Sequence, residues 1–201
     1  MVSIPLLAFG LTHLTDARYF AAWDARFLCF PIGPAGLSLD YFLAIREWVE
    51  GPVCVAELGA GAEFPAEALR EAGITHVLID HGVDAQPYTQ AGINVLTRIP
   101  VAGYHTLDDL RERLTETTGT VILDFADGGI TYTDLEEGTP FTTTDLAAVT
   151  QDREVFLHLD LAAEQATAAV RHHGLALRGS GEEKVGYKSF DDIDDILEAL
   201  Q

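Results

Sequence analysis

Short apolar runs of β-prone residues alternate with longer stretches of helical periodicity from one end of this chain to the other, and no other feature limits its fold so tightly. Runs of this kind separated by helices pair in parallel, because a helical crossover returns the chain to the same edge of the sheet. Eight strands are expected, near Ile4–Phe9, Phe27–Ile32, Val53–Leu58, His76–Ile79, Ile93–Ile99, Thr120–Phe125, Glu154–Leu159 and Leu175–Arg178. Eight helices fall between them, at Asp16–Trp23, Leu39–Val49, Pro65–Ala72, Asp84–Gln90, Leu107–Thr115, Thr144–Thr150, Ala162–His172 and Phe190–Leu200. Thr15, Ser38 and Ser189 are placed to cap helix starts, and Gly73, Gly92 and Gly174 follow helix ends. The order predicts an α/β fold, a (β/α)8 TIM barrel in a single compact domain over 1–201. A doubly wound open sheet is the alternative. It is disfavoured because Gly10-Leu11-Thr12-His13 carries no glycine fingerprint after the first strand. Asp127–Thr144 is the longest expected loop.

Charge narrows the partners. Thirty-two acidic residues against 12 basic ones give a net charge of -20, which repels nucleic acid and anionic membrane surfaces. The acidic composition, with Lys184 and Lys188 as the only lysines, predicts a halophilic source and stability that rises steeply with KCl. No apolar run is long enough to span a bilayer, and no basic stretch precedes the first apolar segment, so a cytoplasmic location is expected. Cys29 and Cys54 lie in apolar runs on adjacent strands and read as small hydrophobes; no metal-ligand spacing or cofactor motif is visible.

In such a barrel the reactive groups stand at the C-terminal ends of the strands. Those positions hold Gly10, Thr12 and His13 after the first strand, Asp80 and His81 after the fourth, and Asp124, Gly128 and Gly129 after the sixth. His158 and Asp160 follow the seventh. Asp124 closes Val121-Ile122-Leu123, where desolvation is expected to raise its carboxyl toward acid catalysis. Asp80 with His81, or His158 with Asp160, are candidate base and orienter pairs. After the eighth strand, Arg178, Gly179, Ser180, Gly181, Glu183 and Lys184 form a glycine-rich loop, bracketed by Arg178 and Lys184, that is a candidate anion site, since backbone N–H groups freed by glycine converge on phosphate.

Several stretches resemble phosphoribosylanthranilate isomerase, the tryptophan-pathway enzyme that carries an aminoaldose phosphate to its ketose by Amadori rearrangement. Leu7-Ala8-Phe9-Gly10-Leu11-Thr12 and Asp16-Ala17-Arg18 are similar to the family's K-I-C-G-L-T and D-A-R. Gly179-Ser180-Gly181-Glu182-Glu183 and Gly186-Tyr187-Lys188 are similar to its S-S-G-V-E and P-G-V-K-D. The resemblance implies isomerisation of a small phosphorylated metabolite without a cofactor, with Asp124 as general acid and the last loop on phosphate. It also exposes departures. Phe9 stands where the family has its cysteine base, Ala35 where it has a substrate-binding arginine, and Leu159-Asp160-Leu161 where it has a glycine pair for phosphate. His13 is the candidate replacement base. Two other readings stay open: a divergent barrel that binds a phosphorylated ligand or a protein partner without turnover, and an enzyme of different chemistry built on Asp80, His81, His158 or Asp160.

Overall fold

The computed structural model describes residues 4–59, 64–179 and 190–200. Eight parallel strands close into a barrel in sequence order. They are β1 (Leu6–Phe9), β2 (Phe27–Ile32), β3 (Val53–Leu58), β4 (His76–Asp80), β5 (Asn94–Pro100), β6 (Thr120–Asp124), β7 (Val155–His158) and β8 (Gly174–Arg178). Closure is made by β8 against β1, with Leu6 opposite Leu175 and Phe9 opposite Arg178. This is the expected (β/α)8 barrel.

Because side chains alternate across a strand, every strand contributes to two cores. One set lies inside the barrel and includes Leu7, Phe9, Cys29, Val55, Ile122 and Phe156. The other, including Ala8, Leu28, Ala56, Val121 and Leu157, faces the helices. Strands buried on both faces explain why the runs read as continuous apolar stretches. The parity also separates the cysteines. Leu28 is opposite Cys54 and Cys29 opposite Val55, so the two free thiols sit on adjacent strands but on opposite faces of the sheet.

The described helices are α1 (Leu14–Ala22), α2 (Leu39–Arg46), α3 (Ala66–Glu71), α4 (Gln86–Gln90), α5 (Leu107–Thr115), α6 (Tyr132–Glu136), α7 (Thr143–Thr150), α8 (Ala163–Ala169) and α9 (Asp191–Glu198). Ser38 caps α2 as expected, accepting from Tyr41 N. Thr15 does not cap α1. The helix begins two residues earlier, at Leu14, with His13 in extended conformation at its N-cap. Ser189 lies outside the described residues. Gly73 and Gly92 end α3 and α4 with φ of 72° and 78°, the left-handed backbone that glycine adopts without steric cost. Gly174 is different: it opens β8, and a Cβ there would stand 2.5 Å from Phe156 Cδ1 inside the barrel.

The expected long loop Asp127–Thr144 is mostly structured. A single 3-10 turn (Ala126–Gly128) leads into α6, and α7 starts at Thr143. Thr131 with Asp134, and Thr142 with Asp145, each form a reciprocal capping box. Such caps hold even a five-residue helix, too short to show a periodicity in sequence. Near the end of the chain, Phe190 stacks on Tyr19 of α1 with ring centroids 3.9 Å apart, and the Tyr19 hydroxyl donates to Asp194, fastening α9 to α1.

Candidate active site

The inward-facing parity that fills the barrel continues, two residues further along most strands, into a ring of charge at the C-terminal mouth. Val55 is followed by Glu57, Leu78 by Asp80, Leu96 by Arg98, Ile122 by Asp124, Phe156 by His158 and Ala176 by Arg178. Register makes the pairs. Asp80 is opposite Arg98, and Arg98 Nε donates to Asp80 Oδ1 at 2.8 Å. Asp124 is opposite His158, whose Nδ1 lies 2.7 Å from Asp124 Oδ1. Phe9 is opposite Arg178, whose guanidinium lies over the Phe9 ring, 5.1 Å from its centroid.

Asp124 is the best defined of these groups. It is 1% exposed and accepts from His158 and, at 3.2 Å, from the Asp127 backbone N–H. Its other oxygen, Oδ2, is buried without a hydrogen-bond partner among the described residues, 4.0 Å from Arg178 Nη2. The sequence predicts a raised carboxyl here. Burial does push it up, but the hydrogen bond and charge of His158, the Asp127 N–H and the charge of Arg98 outweigh burial and hold it below the ordinary value. Asp124 is therefore held in its ionised form, with the His158 imidazole as its hydrogen-bond partner. The Phe9 ring meets His158 edge-on at 4.8 Å and forms an apolar floor beneath it. Asp124, Asp127 and His158 also offer ligand atoms within 4.8 Å of one another, a donor set able to hold a cation. Arg178 already serves these carboxylates, with Nη2 2.9 Å from Asp127 Oδ2.

The other predicted residues fall in different places. His13 is exposed at the start of α1. Asp80 and His81 do not pair: Asp80 holds Arg98, and His81 Nε2 lies 2.9 Å from Glu116. His158 pairs with Asp124 rather than Asp160, which is exposed and bridges through its backbone to Thr131. The predicted anion-binding glycines are already engaged. Gly10 N donates to Glu57 at 2.9 Å, Gly128 N to Phe125 O, Gly129 N to Ala126 O and Gly179 N to Phe9 O. Ser180, Gly181, Glu183 and Lys184 lie outside the described residues. Ala35 is exposed in the turn after β2 and brings no charge to the mouth.

Two site residues escape a search confined to the ends of apolar runs, because Glu57 and Arg98 lie within theirs. Their signal is parity: Val53-Cys54-Val55-Ala56-Glu57 and Leu96-Thr97-Arg98 each place a charge on the inward face. Arg98 joins Asp80 and stands 3.8 Å from Glu57. The described mouth thus sets Glu57, Asp80, Asp124 and Asp127 against Arg98, Arg178 and one imidazole, an acidic balance.

No family model matches the chain, and no curated protein matches it. Among solved structures it is similar to phosphoribosylanthranilate isomerase from Thermococcus kodakaraensis, at 16% identity and a TM-score of 0.71 over 98% of this chain and 99% of that one. It is similar to the isomerase from Thermus thermophilus at 21% identity and a TM-score of 0.69, over 98% of both chains. A third, at 16% identity and a TM-score of 0.70 over 98% of both chains, is a phosphoribosylanthranilate isomerase in complex with reduced 1-(o-carboxyphenylamino)-1-deoxyribulose 5-phosphate. The chain shares the barrel fold of these proteins from end to end. Among the described residues, no helix is long and apolar enough to cross a membrane.

Proposed function

We propose that this barrel catalyses the aldose-to-ketose (Amadori) isomerisation of a phosphorylated, nitrogen-linked sugar, as phosphoribosylanthranilate isomerases do, within tryptophan biosynthesis in the cytoplasm. The observation that carries the reading is the buried Asp124–His158 pair at 2.7 Å, at the mouth of a barrel of that fold. Opening the sugar ring requires a proton on the departing ring oxygen. An imidazole oriented by a buried carboxylate is placed to give one, and the carboxylate stabilises the cationic ring whenever it carries the proton. Arg178, half-exposed above Phe9, is a positive group free to turn from Asp127 to an anionic substrate. The remaining phosphate contacts fall to the loop after β8. Fluorescence loss of phosphoribosylanthranilate in molar KCl tests the reading, with turnover expected in the natural protein and lost in Asp124→Asn.

A second reading has its own support. Phe9 cannot exchange a proton, Ala35 offers no counter-charge, and the acidic mouth disfavours an anthranilate carboxylate. A barrel that binds a phosphorylated ligand without turnover predicts that the reduced carboxyphenylamino-deoxyribulose phosphate binds while phosphoribosylanthranilate is not consumed.

A further inference from the structure

A glutamate inside a barrel strand costs free energy unless it is paired or put to use. Glu57 occupies such a position on β3, with its side chain 13% exposed. Its carboxylate reaches across the mouth to the end of β1, where Oε2 accepts from Gly10 N at 2.9 Å. Gly10 follows Phe9 directly, so the bond brings a carboxylate to the end of the strand whose own side chain there is inert. Gly10 holds φ of 68°, a conformation that admits few other residues.

The neighbours of Glu57 leave it available. Arg98 gives its short contacts, at 2.8 Å, to Asp80 and approaches Glu57 Oε1 only to 3.8 Å. Burial pushes the Glu57 carboxyl above its ordinary value, with a further push from Asp80, against the pull of the Gly10 N–H, Arg98 and Arg178. The Cys29 thiol lies on the same inward face, on neighbouring β2, and feels the Glu57 charge. A carboxylate with raised proton affinity is a stronger base at neutral pH than a solvated one. His13 is exposed at the N-cap of α1.

We propose that Glu57, drawn to the β1 end of the mouth by the Gly10 N–H, is the base that removes the C2 proton of the sugar. The assignment rests on the isomerase reading above. The Asp124–His158 pair gives a proton to the ring oxygen as the C1–O bond breaks and the nitrogen lone pair forms C1=N. Glu57 then takes the C2 proton. The C2–H electron pair becomes C1=C2, and the C1=N π pair returns to nitrogen. The enol hydroxyl returns its proton to the Asp124–His158 pair as C2=O forms, and Glu57 delivers its proton to C1. Both acid–base groups end as they began, and no oxidant or reductant is needed.

The test compares the full-length natural protein with Glu57→Gln and Glu57→Asp on phosphoribosylanthranilate, alongside binding of the reduced carboxyphenylamino-deoxyribulose phosphate. Glutamine keeps the volume and the acceptor for Gly10 N, so circular dichroism and melting should report a folded barrel. The expected result for Glu57→Gln is a fall in kcat of about 10²- to 10⁴-fold, with analogue affinity within about threefold of the natural protein. The acidic limb of the kcat profile should disappear with it, and Glu57→Asp should recover part of the rate. An active natural protein whose Glu57→Gln variant keeps its kcat and acidic limb overturns Glu57 as the base and leaves the isomerase reading standing. A natural protein that binds the analogue without turnover overturns both.

Discussion

Replacing Asp124 by asparagine separates the chemical role of the Asp124–His158 pair from its structural one. The carboxylate accepts from His158 at 2.7 Å and from Asp127 N at 3.2 Å through one oxygen, while the other has no hydrogen-bond partner among the described residues. An amide keeps an acceptor for the Asp127 N–H and turns its NH2 toward the Oδ2 side, near Arg178. Removing one member of a buried ion pair costs about 3–5 kcal/mol when a charge is stranded, but the partner here is an imidazole, which needs no charge to keep a hydrogen bond to the amide. What remains is a weakened hydrogen bond and a donor facing a guanidinium, about 1–2 kcal/mol, or a fall in Tm of about 2–8 °C for a chain of this size. The loss in kcat should be larger, about 10²- to 10⁴-fold, equivalent to about 3–5 kcal/mol of transition-state stabilisation. Acid titration adds a signature. The Asp124 carboxyl is held below its ordinary value of 3.8, so its contribution to stability is present above pH 3.8 and is lost as the pH falls through the folded-state value. The difference in stability between natural and asparagine proteins should therefore close under strong acid. Fluorescence turnover and thermal melting measured on the same preparations decide the matter. An asparagine variant with unchanged kcat, or one that fails to fold at neutral pH, would refute the division of roles.

Three further outcomes follow from the packing and charge. Gly174→Ala places a Cβ 2.5 and 2.6 Å from Phe156 ring carbons and 2.8 Å from Pro5 O, so it should destabilise the barrel by about 1–3 kcal/mol; a melting curve superimposable on the natural one would contradict this packing. Burial, helped by His172, pushes the His173 imidazole down to about 4 from 6.5, and its Nε2 lies 2.8 Å from Thr150 Oγ1. The neutral ring is favoured by folding, so its stabilisation is present above pH 6.5 and lost as pH falls toward 4. The loss is at most about 3 kcal/mol, and about 2 after allowing for partial exposure; His173→Gln should flatten the urea midpoint over that range, and an unchanged slope would count against it. The net charge of -20 predicts a Tm that rises steeply from low to molar KCl, and a flat response would remove the case for a high-salt origin.

The barrel was legible in sequence because strands buried on both faces leave uninterrupted apolar runs, and all eight stand where those runs are. α6 was not, since five residues held by the Thr131–Asp134 box show no helical period. In the site, Asp124 and Arg178 are visible as polar residues that close apolar runs, and His158 as one that interrupts the end of its own. Their partnerships were not, because they depend on register: Asp124 meets His158 across the β6–β7 ladder, and Asp80 meets Arg98 across β4–β5. Glu57 and Arg98 lie inside apolar runs, and only the inward parity of their strands gives them away. The sign of the Asp124 perturbation was equally hidden, since burial opposes the contacts of His158, the Asp127 N–H and Arg98, and those depend on register and turn geometry.

The two cysteines sample different depths of the molecule. Cys29 is fully enclosed inside the barrel, where burial pushes its thiol well up, whereas Cys54 lies half-buried under the helices with its thiol raised to about 11. A thiol reagent reaches Cys54 once a helix lifts from the sheet, but reaches Cys29 only when neighbouring strands part. The ratio of their labelling rates is thus an intrinsic clock that times loosening of the outer shell separately from opening of the cylinder, with no probe added to the chain.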